Sequence, residues 1–201
     1  MQAGMESRIE RLEAYTEICN LQGRYNHYLQ TGQIGGKLSE LFAMEHPGVQ
    51  AEMADSGVWT GGKGVAALFM HMGTKYAMKG ALMVHMLLTP VVEISADNRS
   101  AKGMWNSFGT NTIKGKDGQL EAMWQAGKYD ITFCKVDGRW KYLDFRWYVI
   151  FRTPYKDGWV KTPIVDGLHE DGLPAISSLH SPYDPHAEHN YFMPPPPEPE
   201  A

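Results

Sequence analysis

The chain has 201 residues, of which 43% are hydrophobic, and its 19 basic and 23 acidic residues give a formal net charge of -4. A chain of this length buries one sizeable core, so we expect one domain with appendages rather than two. No basic cluster is dense enough to follow a phosphate backbone, which argues against nucleic acid as a partner. No apolar run approaches the roughly 20 residues of a membrane span, so we expect no membrane partner and a cytoplasmic location.

The first part of the chain has the apolar spacing of helices. A stripe with two tyrosines near its C-terminal end predicts a helix over residues 7–30. The members of this stripe are Ile18, Leu21, Tyr25 and Tyr28. A short helix at about 37–44 and another that begins at the GGKG sequence follow, and residues 49–60 between them resemble a pair of short strands.

After Gly80 the apolar period changes from 3.6 to 2, which predicts strands. Turn sequences rich in Gly, Asp and Asn separate four such segments. Three helices followed by a four-stranded antiparallel meander form an α+β arrangement. A strongly twisted sheet of this kind curls around its helices, so we expect a pocket between the two layers.

From about residue 153 the composition changes, because Pro, Gly, His and Asp accumulate and the chain ends in NYFMPPPPEPEA. Such a segment forms neither a helix nor an interior strand. We therefore divide the chain into a folded domain, residues 1–155, and an irregular Pro-rich extension, residues 156–201. The extension is either a flexible end or a wrap over a neighbouring subunit, and its four aromatic residues favour wrapping because they supply apolar surface to bury.

The last predicted strand carries a charge pair among aromatic residues. Strict alternation places Asp144 and Arg146 on one face with Trp140, Tyr142 and Tyr148. If that face lines the pocket, apolar surroundings shift the carboxylate toward a usable base, and the guanidinium can hold an oxyanion or a phenolate. The alternative is an exposed ion pair at a sheet edge, which contributes less than about 1 kcal/mol to stability.

Two other residues are candidate acid–base groups. His85 begins the first long strand in phase with apolar residues, and its ordinary pKa of about 6.5 suits proton transfer at neutral pH. Its alternative is a hydrogen-bonded core histidine. Tyr25 either donates or orients a proton, or is a core tyrosine whose hydroxyl binds a backbone group. The candidate substrate-binding walls are Tyr28, Trp105, Ser107, Trp124 and Tyr129.

The sequence offers no pattern for a cofactor or a metal. It lacks the GxxxxGK[ST] and GxGxxG nucleotide motifs and the GxSxG motif of serine hydrolases. Cys19 and Cys134 lie outside metal-ligand spacings, so we expect buried free thiols. His180, His186 and His189 have a loose metal-like spacing but lie in the Pro-rich extension, where solvated histidines are favoured. We therefore expect no cofactor and no metal.

Several short segments have a recognisable order and spacing. They are RIERLEAYTEICNLQGRYNHYLQTG, GVWTGGKGV, VHMLLTPVVEISADNRSAKGMWNSFG, WQAGKYDITFCKVDGRWKYLDF and TPYKDGW. Together they resemble the SnoaL-like branch of the nuclear transport factor 2-like (NTF2-like) superfamily over about residues 7–160. The resemblance implies a cone-shaped, usually oligomeric α+β barrel with three N-terminal helices packed on a curled, mostly antiparallel sheet.

The resemblance also implies roles for particular residues. Members include polyketide cyclases, steroid isomerases, scytalone and bile-acid dehydratases, and cofactor-free lyases that release formaldehyde from lignin-derived diaryl compounds. The helix tyrosine and strand histidine of the dehydratases match Tyr25 and His85, and a polar residue on the last strand matches Asp144 or Arg146. Many relatives carry an aspartate five residues after the tyrosine, where this chain has Gln30. The resemblance therefore favours His85 as the base, with Asp144 in support.

Residues and resemblance together predict a cofactor-independent lyase for a hydroxylated aromatic small molecule. It would eliminate formaldehyde or water by acid–base catalysis through a quinone-methide-like intermediate, and it would be a homo-oligomer, either a dimer or a trimer. One alternative on the same scaffold is a steroid or polyketide dehydratase or isomerase. An alternative from another class is a non-catalytic binding or assembly module, since one fold serves many functions.

Overall fold

The computed structural model describes residues 2–115, 117–165, 172–177 and 180–199. The helices are α1 (Gln2–Gln30), α2 (Gly36–Ser39) and α3 (Gly61–Tyr76). The strands are β1 (Gln50–Met53), β2 (Val58–Thr60), β3 (Met83–Ile94), β4 (Ser100–Lys114), β5 (Leu120–Val136) and β6 (Arg139–Pro154), with a 3-10 turn at Ala54–Ser56. The predicted α+β class is confirmed, although α1 begins earlier and α2 ends earlier than expected.

The strands form one curled sheet in the order β2-β1-β6-β5-β4-β3. Strands β3 to β6 are the predicted antiparallel meander, whereas β1 runs parallel to β6, so the sheet is mixed. Asp137 and Gly138 connect β5 to β6 with φ values of 48° and 75°. Positive φ at both positions matches a two-residue hairpin turn, whose twist fits that of the strands.

One face of the sheet, here called the inner face, packs against the helices. Tyr25 of α1 and Phe69 of α3 are buried against it, and the Tyr25 ring lies 4.7 Å from the ring of Phe145 and 6.1 Å from that of Tyr142. The buried members of the inner face around these rings are Tyr129, Ile131, Phe133, Tyr142 and Phe145. This aromatic cluster is the centre of the core, because aromatic side chains bury the largest areas.

Two bulges in β6 change which residues face the core. The pairing with β5 shifts register between Tyr142 and Asp144 and again between Val149 and Phe151. A bulge inserts one extra residue, so the alternation reverses at each point. The prediction of one shared face is therefore wrong: Tyr142 lies on the inner face, whereas Asp144 and Arg146 lie on the opposite one, here called the outer face. Tyr148 also lies on the outer face, while Trp140 lies on the inner face with Tyr142.

The described parts of the extension are irregular and contact this chain's own sheet. The Val58 amide donates a hydrogen bond to the Ala175 carbonyl (3.0 Å), and the Tyr183 amide donates to the Ile150 carbonyl (2.7 Å). The Lys128 Nζ donates to the Phe192 carbonyl at 2.8 Å. Lys128 is opposite Tyr148 in the ladder, so this contact lies on the outer face. The domain boundary at residue 155 stays a prediction.

Two properties of the described residues bear on the classes of partner. None of the described helices is long and apolar enough to cross a membrane. Among the same residues, no group of three or more His, Cys, Asp or Glu side chains is arranged to hold a metal ion.

Candidate active site

A row of residues crosses four adjacent strands on the inner face, beside the aromatic core. His85 is opposite Gly109, Gly109 is opposite Gln125, and Gln125 is opposite Arg152. The side chains of His85, Gln125 and Arg152 are all buried, with relative exposures of 7%, 3% and 3%. We call these four residues the polar row. Burying three polar side chains side by side is costly unless they bind one another or a ligand, so the row is a candidate site.

Both ring nitrogens of His85 have neutral partners. Nδ1 lies 3.2 Å from the Tyr129 hydroxyl, and Nε2 is in close contact with Nε2 of Gln125. Since an amide nitrogen can only donate, Nε2 of His85 accepts, and the single proton of the neutral imidazole belongs on Nδ1, which donates to the Tyr129 oxygen. In this arrangement the Nε2 lone pair accepts the Gln125 amide proton, and it becomes free to act as a base only when that contact is displaced.

The imidazole is neutral over the physiological range. Burial, with a smaller contribution from the positive charge of Arg152, lowers the pKa of His85 to about 4. Burial raises the pKa of Tyr129, so its hydroxyl keeps its proton. A neutral imidazole beside a guanidinium can accept a proton while the cation stabilises negative charge that forms on a nearby oxygen.

A tryptophan forms one wall beside the histidine. The Trp147 ring centroid lies 5.5 Å from that of His85, and its Nε1 donates a hydrogen bond to the Ser107 hydroxyl at 2.8 Å. A Cβ on Gly127 would lie 2.6 Å from the Trp147 indole, so only glycine leaves room for the ring there. Ser107 thus fixes the orientation of this wall.

Helix α1 holds the histidine backbone in place. The Asn26 Nδ2 and the Gln30 Nε2 both donate to the His85 carbonyl, at 2.6 and 3.0 Å. The Oδ1 of Asn26 is buried without a hydrogen-bond partner among the described atoms, and so is the Oδ1 of Asn111 on the inner face of β4. These oxygens are acceptors available to a bound molecule.

The predicted Tyr25 lies deeper, in the aromatic core. Its hydroxyl is 3.8 Å from the sulfur of Met53, and four aromatic rings have centroids within 6.3 Å of its own. Burial raises its pKa well above the usual value. The Tyr25 ring packs against Tyr129, which in turn contacts His85, so the structure favours the core interpretation of Tyr25.

Asp144 and Arg146 lie on the outer face, separated from His85 by the sheet. Nε of Arg146 binds the Asp144 carboxylate at 3.1 Å, and Gln50 donates to the same carboxylate at 2.9 Å. Nη1 of Arg146 is 3.7 Å from the carboxylate of Glu52. The expectation that this pair shares the pocket with His85 is wrong, because the bulge at Leu143 turns both side chains away.

The remaining predicted wall residues divide between the faces. Trp105 is buried in the core beside Phe133, with ring centroids 6.2 Å apart, and Tyr28 packs partly buried on the core from α1. Trp124 lies on the outer face, where it stacks on Phe108 at 5.4 Å. Of the predicted walls, the structure brings Ser107 and Tyr129 to His85.

Sequence reasoning missed Gln125, Arg152 and Trp147. Gln125 had a detectable signal, because it alternates in phase with Tyr129 along β5, and a polar residue at an inward position is informative. Trp147 had none, since it faces inward only after the first bulge in β6. Arg152 had one, because simple alternation along β6 already places it on the face of Tyr142, and the two bulges cancel before residue 152. Asn26 was overlooked beside Tyr25.

The curled, mixed sheet packed on a few helices matches the NTF2-like cone folds. A family model described as a SnoaL-like domain matches residues 10–146, and the chain belongs to that family. No curated protein matches the sequence significantly.

Solved structures share the fold at low identity. A protein provisionally assigned as a scytalone dehydratase, from Novosphingobium aromaticivorans, is 17% identical with a TM-score of 0.62, and the match covers 82% of this chain and 97% of that one. A type 2 hexachlorocyclohexane dehydrochlorinase (LinA) is 15% identical with a TM-score of 0.61, over 83% and 99%. The type 3 enzyme from Novosphingobium barchaimii is 16% identical with a TM-score of 0.59, over 74% and 94%.

Proposed function

We propose that the protein is a cofactor-independent lyase that eliminates a small leaving group from a hydroxylated aromatic molecule, with His85 as the proton acceptor. The observation that carries the proposal is the neutral, buried imidazole in one row with a buried guanidinium. The names of the structural neighbours, a dehydratase and dehydrochlorinases, describe eliminations and support the same reaction class.

The low pKa of His85 limits which proton it can remove. A base whose conjugate acid has a pKa of about 4 is weak, so the departing C–H or O–H proton must be acidified by the substrate itself. A carbonyl or a phenol conjugated with the reacting carbon provides that effect. We therefore propose that Arg152 binds the oxygen that gains negative charge, as an enolate or a phenolate.

Loss of water takes two steps, with His85 first as the base and then as the acid. Nε2 of His85 displaces its contact with Gln125 and takes the substrate proton, while the electron pair moves to the oxygen near Arg152. The pair then returns, the bond to the hydroxyl leaving group breaks, and the imidazolium returns the proton to make water. Nδ1 keeps its hydrogen bond to Tyr129 throughout, which stabilises the imidazolium.

Loss of formaldehyde is the second outcome of the same arrangement. After water has left a phenolic diaryl diol to form a quinone methide, Nε2 of His85 takes the hydroxyl proton of a neighbouring hydroxymethyl group, and the O–H pair forms the second C–O bond of formaldehyde. The pair of the breaking C–C bond moves into the quinone methide, which becomes a conjugated phenolate beside Arg152, and the imidazolium returns its proton to that phenolate. The planar wall of Trp147 beside His85 suits such flat rings. The lignin-derived diaryl class is part of this proposal.

We also propose that the protein is a homo-oligomer. On the outer face of edge strand β3, Met86 and Leu88 are 48% and 45% exposed, and Val91 is exposed beside them. Contiguous exposed apolar side chains of this kind mark interaction surfaces. Light scattering of the purified protein tests this, and a monomer at micromolar concentration would contradict it.

The test of function is a substrate panel. Purified, EDTA-treated protein is incubated with phenolic diaryl diols and with hydroxylated polycyclic ketones, and new conjugated absorbance and released formaldehyde are followed together. Absorbance alone indicates dehydration or isomerisation, and formaldehyde in step with absorbance indicates the deformylating lyase. No turnover and no thermal shift with any compound would contradict the proposal and favour a non-catalytic binding module.

A further inference from the structure

The C-terminal extension contacts the polar row at Arg152. The Arg152 amide donates to the Pro163 carbonyl, and the Val165 amide donates to the Arg152 carbonyl, both at 2.9 Å. The side chain joins this contact, because its Nη1 donates to the Val165 carbonyl at 3.3 Å. Pro163–Val165 therefore bind both the backbone and the guanidinium of the cation beside His85.

The extension is fastened again on the other side of the sheet. The Glu52 carboxylate, only 1% exposed, accepts hydrogen bonds from the Ser177 amide at 2.5 Å and from Nε2 of His180 at 2.9 Å. Burial alone would raise the pKa of Glu52, but the hydrogen bonds from His180 and Ser177 outweigh it and lower the pKa. The ring of His180 also packs against that of Tyr148, 4.8 Å away.

A buried carboxylate with these partners is a strong attachment point. Hydrogen bonds to a charged group contribute more than those between neutral groups, and removal of one partner leaves a buried charge unsatisfied. Glu52 lies beside Arg146 in the ladder between β1 and β6 and faces away from His85. An effect of Glu52 on the polar row must therefore pass through the chain it fastens.

We propose that Pro163–Val165 are positioning residues of the candidate site, which hold the Arg152 guanidinium at the His85 row, and that Glu52 fastens the extension from the outer face. The catalytic meaning of this inference rests on the proposed function. Whether Pro163–Val165 position Arg152 can be tested without a substrate. If they do, the extension is part of the site rather than an appendage of the domain.

The experiment reads the imidazole of His85 by NMR. The histidines are isotope-labelled, the His85 signal is assigned with His85→Gln, and its pH titration is recorded in four full-length chains. These are the wild type, Val165→Pro, Arg152→Gln and the double variant. Val165→Pro removes the amide that donates to Arg152 while leaving every side chain of the row in place.

The charged or titratable groups described around His85 are Arg152 and Tyr129. We expect the wild-type imidazole to titrate at about 4, and Arg152→Gln to raise that value by about one pH unit because the like charge is removed. If Val165 positions the guanidinium, Arg152→Gln should raise the pKa of His85 in the Val165→Pro chain by less than half as much as in the wild type. An equal effect in both backgrounds would overturn the inference.

Two further variants keep the test decisive. Glu52→Gln should raise the pKa of His85, as Arg152→Gln does, but by a smaller amount. Glu188→Pro, at an exposed site in the extension, should leave the pKa of His85 unchanged. If Val165→Pro does not fold, the Glu52→Gln background takes its place in the cycle. If the effect of Arg152→Gln on the pKa of His85 is reduced in the Val165→Pro chain but no substrate is turned over, only the proposed function is contradicted.

Discussion

The two faces of one sheet carry similar residue types in different physical settings. On the outer face, the carboxylates have direct partners: Arg146 pairs with Asp144 at 3.1 Å, and Nε2 of His180 donates a hydrogen bond to Glu52 at 2.9 Å. On the inner face, His85 has a neutral amide and a neutral phenol as partners, and burial, followed by the positive charge of Arg152, lowers its pKa.

This difference separates structural groups from chemical ones. Paired charges stabilise each other and resist a change in protonation, as the raised pKa of Arg146 beside Asp144 illustrates. An imidazole without a counter-charge from its hydrogen-bonding partners stays neutral and is ready to accept a proton. This difference supports the proposal that the chemistry takes place on the inner face, whereas the outer face binds the extension through Glu52 and Lys128.

The largest effect on kcat is expected from replacing His85 on the inner face, with a replacement of Asp144 on the outer face as the comparison. His85→Gln removes the proton acceptor and should lower kcat by about 10²- to 10⁴-fold on whichever substrate the panel yields. Asp144→Asn on the outer face should change kcat by less than about 3-fold, since the partly buried Asp144–Arg146 pair is separated from His85 by the sheet. Steady-state kinetics of both variants check this, and the reverse ranking would place the chemistry on the outer face.

The two arginines provide a matched pair for the charge-stabilising role. Arg152→Gln should lower kcat by about 10²- to 10³-fold, as loss of one donor to a developing oxyanion does elsewhere. Arg146→Gln is the control, with kcat close to that of the wild type. A similar loss in both variants, with unchanged folding by circular dichroism, would show that net charge matters rather than position.

Stability against pH gives a test without a substrate. The folded pKa of His85, about 4, lies below its unfolded value of about 6.5, so the unfolded state binds the proton first. Stability should therefore fall as the pH drops from about 6.5 to 4, by up to about 3 kcal/mol. Denaturant unfolding of the wild type should show this loss and His85→Gln should not.

The loss of stability that Glu52 causes on acidification occurs in a different pH range from the loss that His85 causes. Because its folded pKa is depressed, the stabilisation from Glu52 is present above the ordinary glutamate range and disappears at more acidic pH. Equal pH slopes in wild type and His85→Gln between pH 6.5 and 4 would mean that the imidazole is solvated rather than buried.

The smallest effects on activity and stability are expected from replacing Trp147 on the inner face, with Trp124 on the outer face as the control. Trp147→Phe keeps an aromatic wall but loses the hydrogen bond to Ser107, and should destabilise the fold by about 1 kcal/mol and raise KM. Trp124→Phe on the outer face should leave KM unchanged. A rise in KM for Trp124→Phe alone would place the substrate on the outer face.

The elements of the fold were predictable because their signals are local. The period of 3.6 in α1, the period of 2 in the meander and the Asp137–Gly138 turn each lie within a few consecutive residues, and all three are confirmed. The inward position of His85 was also predictable from its phase with Leu87, which shares its face.

The composition of the site was only partly predictable, because it depends on pairing between strands. Nothing in RWKYLDFRW indicates that Leu143 is an extra residue, since a bulge is set by the fit of β6 between β5 and β1. That single residue moves Asp144 to the outer face and Trp147 to the inner one, and the next bulge restores the original alternation before Arg152. A one-residue change in register reverses every side chain that follows.

The most direct test of the account uses two histidines as reporters of the two faces. His85 lies in the polar row, and His180, a residue of the extension itself, binds Glu52 on the outer face. Histidine-labelled protein is titrated with a phenolic diaryl diol from the panel, and both imidazole signals are followed at constant pH. Binding on the inner face should give a saturable shift of the His85 signal and leave the His180 signal unchanged. A shift of His180 without one of His85 would contradict the claim that the inner face is the active site.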